Sequence, residues 1–577
     1  MRRFLLLLEA VALQVGWASS GQQPAARKAG PASGAQAAIG EAFRIAGTVV
    51  DATTGAPVAG AQVSIVVDQN PAGATAGSDG KFVFDGLKAG KYPLYAGARG
   101  YVQEGYNQHG SFLTAVVTGN GLDSEHVVFK LHPEAVLYGR VTNERGEAVR
   151  HAQVMLFGYQ SWGTRRTAMV RPPTQTNDLG EYRFAHLRAG KYYVAVEAHP
   201  WYAQTGLRYM PEQQPTMRYR GGSFIVSGYP RPKPEAELDV VYSVTFYPGV
   251  TDGNAANPVE LNWGESEEAD IALQAVPSVH ILVTNLPTDD KGDASYGVGA
   301  SGRVMGTMEY GMPVTGAQIA PGEYEIAGLP PGVVTLHFNG AGGHPEDSRT
   351  LEVNASDGGT VDGRGAEATA TVSGQVVFPP GSAAVTGGQV VLANEAGRNL
   401  GTQLEKDGTF KFAQVRAGTY RVMIGAQGQR LYASGVTATG AKTAGREVTF
   451  DGTAGDVVLT ITAGRGLGRV MGVAKHDGKP MAGAMVILLP ESRQNVEQDA
   501  RIDQSDSDGT FMLANIIPGK YVLVAIADGW GLEWGKPEEL KPYWAKGQVL
   551  QIGAEENKQV TVEAQEKAAA TRDGNVD

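Results

Sequence analysis

Ser78-Asp79-Gly80-Lys81-Phe82-Val83-Phe84-Asp85-Gly86-Leu87-Lys88-Ala89-Gly90-Lys91-Tyr92 decides the fold, because the chain repeats it. NDLGEYRFAHLRAGKY starts at Asn177, KDGTFKFAQVRAGTY at Lys406, SDGTFMLANIIPGKY at Ser507 and a weaker copy, PGEYEIAGLPPGVV, at Pro321. In each copy a glycine (Gly80, Gly180, Gly322, Gly408, Gly509) precedes a second by ten residues (Gly90, Gly190, Gly332, Gly418, Gly519). Between them stand two large apolar residues spaced by two: Phe82 and Phe84, Tyr182 and Phe184, Tyr324 and Ile326, Phe410 and Phe412, Phe511 and Leu513. That spacing puts both on one face of a strand, and the glycine before them supplies the positive φ of a tight hairpin turn. The second glycine, with Tyr92, Tyr192, Tyr420 or Tyr521 two residues on, reads as the same turn used again for the next strand.

Upstream of the four clear copies runs another shared pattern, GTVVDATTGAPVAGAQVSIV from Gly47, GRVTNERGEAVRHAQVMLF from Gly139, GQVVFPPGSAAVTGGQVVL from Gly374 and GVAKHDGKPMAGAMVILL from Gly472. It reads as strand, polar turn and strand. Alternating segments such as HVVFKL from His126 and QVTVEA from Gln559 close the modules. The prediction is an all-β tandem array of about five seven-stranded antiparallel β-sandwich modules, at 42–133, 134–276, 277–363 (degenerate), 364–463 and 464–567, with a disordered tail at 568–577. Closing strands run almost directly into opening ones, as HVVFKL does into AVLYGRV at Ala135, so the modules are expected to form a semi-rigid rod.

The GxVxD/N, GxPVxGAxV and DGxFxFxxLxAGxY motifs resemble those of the carboxypeptidase regulatory-like module, a transthyretin-like or prealbumin-like sandwich, across nearly the whole chain after its first 41 residues. They are also similar to collagen-adhesin B-type stalk modules and starch-binding-domain-like folds. The resemblance implies accessory, stalk, adhesive or carbohydrate-binding roles without choosing among them.

The rest of the sequence narrows the classes. The 577 residues exceed one core, and 78 Gly and 30 Pro demand frequent turns. A net charge of −11 and no long basic run argue against nucleic acid as a partner. Met1-Arg2-Arg3, an apolar stretch from Phe4 to Ala18 and small residues at Ser19 and Ser20 read as a signal peptide over 1–20, followed by a flexible linker over 21–41. The protein is therefore expected to be exported, periplasmic or extracellular, with no transmembrane segment after signal cleavage. With no cysteine, disulfides and thiolate metal sites are excluded. None of the ten histidines has Glu three residues on, as a zinc carboxypeptidase requires, and neither HExxH nor GxSxG occurs. No catalytic residue, metal or cofactor is expected. Asp503, Asp506 and Asp508 sit at spacings that hint at a calcium loop, but the closing Glu is absent and a hairpin turn is the simpler reading.

The residues that break the repeat are the informative ones. An insertion over 199–247 in the second module carries Trp201, Tyr202, Tyr209 and Tyr219 with Arg208, Arg218 and Arg220 interleaved, the candidate ligand-binding set. Aromatic faces stack on sugars and arginines grip acidic groups, so a polysaccharide or another cell-envelope protein suits it. The alternative is that these rings pack on their own sandwich or on the third module as a joint. A second group, Trp530, Trp534, Tyr543 and Trp544, reads as a cap on the last module. The functional expectation is a structural, adhesive or accessory binding role at the cell envelope; carbohydrate binding through the insertion, or an accessory part of a peptidase system, are the alternatives.

Overall fold

The computed structural model describes residues 42–567 except 163, 205, 208–215, 220–221, 226–234, 289–295, 306–307, 341–347, 356–358, 369, 381–386, 395–398, 427–430, 452–456 and 493–495. The expected signal, linker and tail lie outside the described residues. The chain divides into two units, 1–41 and 42–577, and every described residue belongs to the second.

Each repeat builds its own hydrophobic core, the first from Ile45 to Leu131, the second from Ala135 to Leu273, the third from Val279 to Ala355, the fourth from Ala370 to Ala463 and the fifth from Val470 to Ala564. In the first, a three-stranded sheet (Lys81–Leu87, Phe43–Asp51, Val127–Leu131) faces a four-stranded one (Asn70–Thr75, Gln62–Val67, Tyr95–Gly97, Glu104–Gly105). The third and fourth enlarge this to sheets of four and five strands.

The five turn glycines behave as the sequence predicts, with φ between 71° at Gly322 and 85° at Gly408. The hairpins share one register: Gly47 opposes Phe82, Gly139 opposes Tyr182, Val283 opposes Tyr324, Gly374 opposes Phe410 and Gly472 opposes Phe511. Each carries a bulge at the same place, and Gly86, His186, Gly328 and Asn515 there take positive φ.

Two local readings change. The second glycine repeats the turn geometry in no uniform way: Gly90 and Gly519 have no positive φ, while Gly332 (121°) and Gly418 (140°) do, well away from the 71–85° of the turn glycines. Instead the tyrosine ring lies against it, and the hydroxyl donates to a carbonyl four residues upstream: Tyr92 to Lys88 (3.0 Å), Tyr192 to Arg188 (2.8 Å) and Tyr521 to Ile517 (2.7 Å). This is a tyrosine corner, satisfying a loop carbonyl beside the core. Pairing is antiparallel throughout the hairpins, but the closing strand of every module runs parallel to its opening strand. The two approach so closely that a Cβ on Gly47 would sit 2.1 Å from the Val127 carbonyl oxygen, on Gly139 2.3 Å from that of Ala269, on Gly374 2.3 Å from that of Leu459 and on Gly472 2.1 Å from that of Val560.

The expected rod is not observed. Neighbouring sandwiches pack on each other, and the fifth packs back on the first. The turn after Arg501–Gln504 lies along residues 107–117: Ala115 N–H donates to Asp506 Oδ1 (3.0 Å), Val117 N–H to Ser507 Oγ (2.8 Å) and Ser507 N–H to the Ala115 carbonyl (3.0 Å). Gln504, fully buried, donates to the Asn107 carbonyl (2.6 Å) and to Thr114 Oγ1 (2.8 Å) and faces His109 Nδ1 (3.1 Å). Lys91 pairs with Asp506 at 2.5 Å, and His109 stacks on Trp530 with ring centroids 5.1 Å apart. Joint length controls local stiffness but not the direction in which successive modules turn, so the rod expectation had no information about closure.

Gly47→Ala is expected to lower unfolding stability by about 1–3 kcal/mol, since backbone must move to admit the methyl; a thermal midpoint equal to wild type would refute the close approach. Gln504→Ala removes the hydrogen bonds to the Asn107 carbonyl and to buried Thr114 Oγ1, about 1 kcal/mol each. It is expected to speed hydrogen exchange at Ala115 and Val117, and unchanged protection there would show that Gln504 does not hold the contact.

Candidate binding surface

The strand Gly190–Glu197 ends in a turn from which Trp201 projects, 79% exposed. The next ring is held. Tyr202 donates its hydroxyl to Glu144 in the turn after the module's opening strand, Tyr242 donates to the other Glu144 oxygen at 3.2 Å, and the Arg145 guanidinium lies 5.2 Å from the Tyr202 ring centre. Burial works to raise the Glu144 carboxyl, but the hydrogen bonds, led by that of Tyr202, outweigh it and hold the group below its ordinary value. Trp201 and Tyr202 meet edge to face, centroids 5.8 Å apart and planes at 88°, so they present one open ring rather than a flat row.

The insertion is tied at its base, where Gln204 N–H donates to the Leu238 carbonyl at 2.7 Å. Arg218 and Tyr219 lie in the strand Thr216–Tyr219, paired antiparallel with Gly222–Ile225. Arg208, Tyr209 and Arg220 lie outside the described residues. The returning half is a joint: Phe246 packs with Met155, Phe157 and Ala195 against Val304 of the third sandwich. Beside it Asp239, His280 and Glu325 form a buried bridge, with Nε2 2.7 Å from Asp239 Oδ2 and Nδ1 2.9 Å from Glu325 Oε1. Only a doubly protonated ring can donate to both carboxylates. A cleft of about 520 Å³ opens at this joint, lined among others by Phe246, Asp252, Arg303, Met305, Tyr310 and Val333.

The C-terminal aromatics divide similarly. Trp534 and Tyr543 are buried with Leu540 of the helix Pro537–Trp544 over Met485, Ile487 and Leu489, covering the second face of the strand Met485–Pro490. That strand is buried at every position, as its uninterrupted apolar run MVILLP requires. Trp530 packs against the same cluster and also stacks on His109 of the first sandwich.

Sequence reasoning missed one serine, histidine and acid grouping. Ser301 Oγ lies 2.7 Å from His337 Nε2 and 2.7 Å from Glu309 Oε1, while Arg416 of the fourth sandwich reaches His337 Nδ1 at 3.2 Å. An arginine can only donate, so Nδ1 is the acceptor and Nε2 carries the proton. The ring then donates to the serine, the reverse of what activates a nucleophile. The group works as a polar joint. No spacing signal could have found it, because its members come from separate strands and two modules.

Residues 44–118, in the first sandwich, match the model of the carboxypeptidase regulatory-like domain. No curated protein matches the sequence. Among solved structures the chain is similar to the Bacillus anthracis TIE protein, at 10% identity over 92% of this chain and 76% of that one with a TM-score of 0.15. It is similar to BcpA, the major pilin subunit of Bacillus cereus (12% identity, 57% and 99% covered, TM-score 0.14). A putative carbohydrate binding protein from Bacteroides uniformis also matches (16%, 27% and 88%, 0.12). Superpositions this loose say nothing about function.

The acidic turn that hinted at calcium is occupied by protein. Asp508 accepts from Thr510 N–H (3.0 Å), Asp503 from Met512 N–H (2.7 Å), and Asp506 binds the first sandwich. Burial pushes the Asp503 carboxyl up to about 6, with the Met512 and Gln504 N–H groups opposing. A carboxyl raised above its unfolded value stabilises the fold at low pH, and that contribution is lost as pH rises through about 6. Asp503→Asn should therefore lose less stability than wild type between about pH 4 and 7, by on the order of 2–3 kcal/mol. Equal pH slopes in thermal unfolding would exclude this carboxyl as the source.

Proposed function

We propose that the protein is a non-catalytic structural or adhesive component of the cell envelope, exported through the signal over 1–20 and built as five sandwiches with boundaries at 42–133, 134–276, 277–363, 364–463 and 464–567. One observation carries the reading: among the described residues, several stretches that depart from the repeat join one module to another. Residues 104–117 and 504–507 close the fifth sandwich on the first, Phe246 and Asp239 join the second to the third, and Trp530 stacks across the closure. A chain whose specialised residues serve its own architecture is organised as a frame. Among the described residues no helix is long and apolar enough to cross a membrane.

A second reading rests on Trp201, whose ring serves no joint and stands open beside a fixed Tyr202. An exposed indole on a rigid frame suits the face of a sugar ring, and an insertion holding Arg208, Tyr209, Arg218, Tyr219 and Arg220 would extend such a surface. The test is retention of the chain on a panel of soluble and insoluble polysaccharides. Trp201→Ala is expected to weaken retention at least tenfold, about 1.4 kcal/mol, with the thermal midpoint unchanged. Equal retention of both proteins removes Trp201 from any glycan site, and no retention of either leaves the frame with a protein partner.

A further inference from the structure

The turn after the second module's opening strand, Ala135–Thr142, holds an arginine that pairs with no acid among the described residues. Asn143, buried, shapes this turn: its Oδ1 accepts the N–H groups of Arg145 (2.9 Å) and Glu147 (2.8 Å), and Gly146 completes the bend with φ 75°. Arg145 is exposed, and its guanidinium rests over the Tyr202 ring, 5.2 Å from the ring centre, where a cation meets the negative face of the ring. The two acids of the turn are engaged elsewhere. Glu144 accepts from the hydroxyls of Tyr202 and Tyr242, and Glu147 accepts from Asn143 Nδ2 at 2.8 Å.

Trp201 meets the same Tyr202 ring edge to face, 5.8 Å between centroids, and its indole is open to solvent. An exposed aromatic face and an exposed guanidinium are thus both anchored to one ring, which Glu144 holds in place, and one or two linked sugar residues can span them. Little ordering is left for a ligand to impose. The sequence around them is basic although the chain as a whole carries −11: residues 199–234 hold Arg208, Arg218, Arg220, Arg231 and Lys233 against Glu212 alone. A neutral sugar would use the indole and at most single N–H groups of the arginine, whereas a carboxylate or sulfate matches the planar fork with two oxygens at once.

We propose that Trp201 and Arg145 form one subsite for an acidic sugar, with the pyranose face on the indole and the carboxylate or sulfate on the guanidinium. Arg145 is then the residue that selects charged over neutral chains. This rests on the glycan reading of Trp201 and adds to it the class of sugar. The cations of 199–234 supply a longer-range attraction for the same polymer, one that salt screens.

The probes are polygalacturonate and dextran sulfate, with neutral dextran and starch as references and polyglutamate as an acidic polymer without sugar, all offered to the full chain at one ionic strength. The acidic glycans are expected to hold the wild type about tenfold more tightly than the neutral ones. Arg145→Gln, which touches no core, is expected to bring that ratio to about one with the thermal midpoint unchanged. Arg145→Lys keeps the charge without the planar fork and should recover only part of the loss. Trp201→Ala is expected to weaken retention on both kinds of glycan. Retention that needs Trp201 but is equal for acidic and neutral glycans, or is unmoved by Arg145→Gln, overturns the acidic subsite and leaves the glycan reading standing. Capture of acidic glycans that Trp201→Ala does not change overturns both. Arg145-dependent capture of polyglutamate as strong as that of polygalacturonate makes the partner an acidic polypeptide and overturns the sugar.

Discussion

Within each sandwich, everything hangs on the parallel approach of the closing strand to the opening strand. Gly47, Gly139, Gly374 and Gly472 stand where a Cβ would strike a carbonyl oxygen, and the rings of Tyr182, Phe410 and Phe511 close over the same position in three of them. A parallel pair has a consequence that a hairpin does not. The chain enters a module at one end of the opening strand and leaves at the other, so the next module begins where the last one stops. Antiparallel closure would return the chain to its entry point. The third module makes the same crossing with Val283 in place of glycine, and its Tyr324 hydroxyl accepts the Tyr296 N–H at 2.7 Å.

Closure of the fifth sandwich on the first depends on this pass-through geometry. A contact between residues about 390 positions apart would normally carry a large loop-closure penalty, which grows with the length of free chain. Here the intervening chain is already folded and its joints are packed, so the two surfaces meet at high effective concentration and a modest interface suffices. That interface is nonetheless well made. Gln504, Ser505 and Thr114 are buried and each has its hydrogen bonds.

What the sequence disclosed depends on how local each signal is. Turn glycines and paired aromatics are local, so Gly80 and Phe82 announce a hairpin wherever they recur. The tyrosine corner was hidden because the carbonyl that Tyr92 satisfies carries no side-chain signature. Strand direction was hidden because alternation at period two is the same read parallel or antiparallel. The extra Ser and Asp residues of 503–508 drew attention as possible calcium ligands, when their departure from the single Asp of the other copies marked a docking turn. Within the insertion, composition could not separate Trp201, which is exposed, from Phe246, which a neighbouring sandwich covers. That distinction needs to know which module lies beside which.

Charge supplies that assignment. Glu104 of the first sandwich takes Arg188 of the second, Asp239 of the second takes His280 of the third, Glu309 of the third takes Arg416 of the fourth, and Asp506 of the fifth takes Lys91 of the first. Among the described residues the polarity is reversed between the fourth and fifth, with Arg421 and Arg446 meeting Asp499. Buried ion pairs add little net stability, because desolvation offsets most of their attraction, but separating one partner from the other is expensive. Five modules with one core pattern and one hairpin register are at risk of docking in the wrong order, a recognised failure of repeat proteins. A wrong neighbour would bury an acid or a base alone. The hydrophobic repeat therefore makes each sandwich, and the ion pairs, which the repeat does not contain, decide where each one sits.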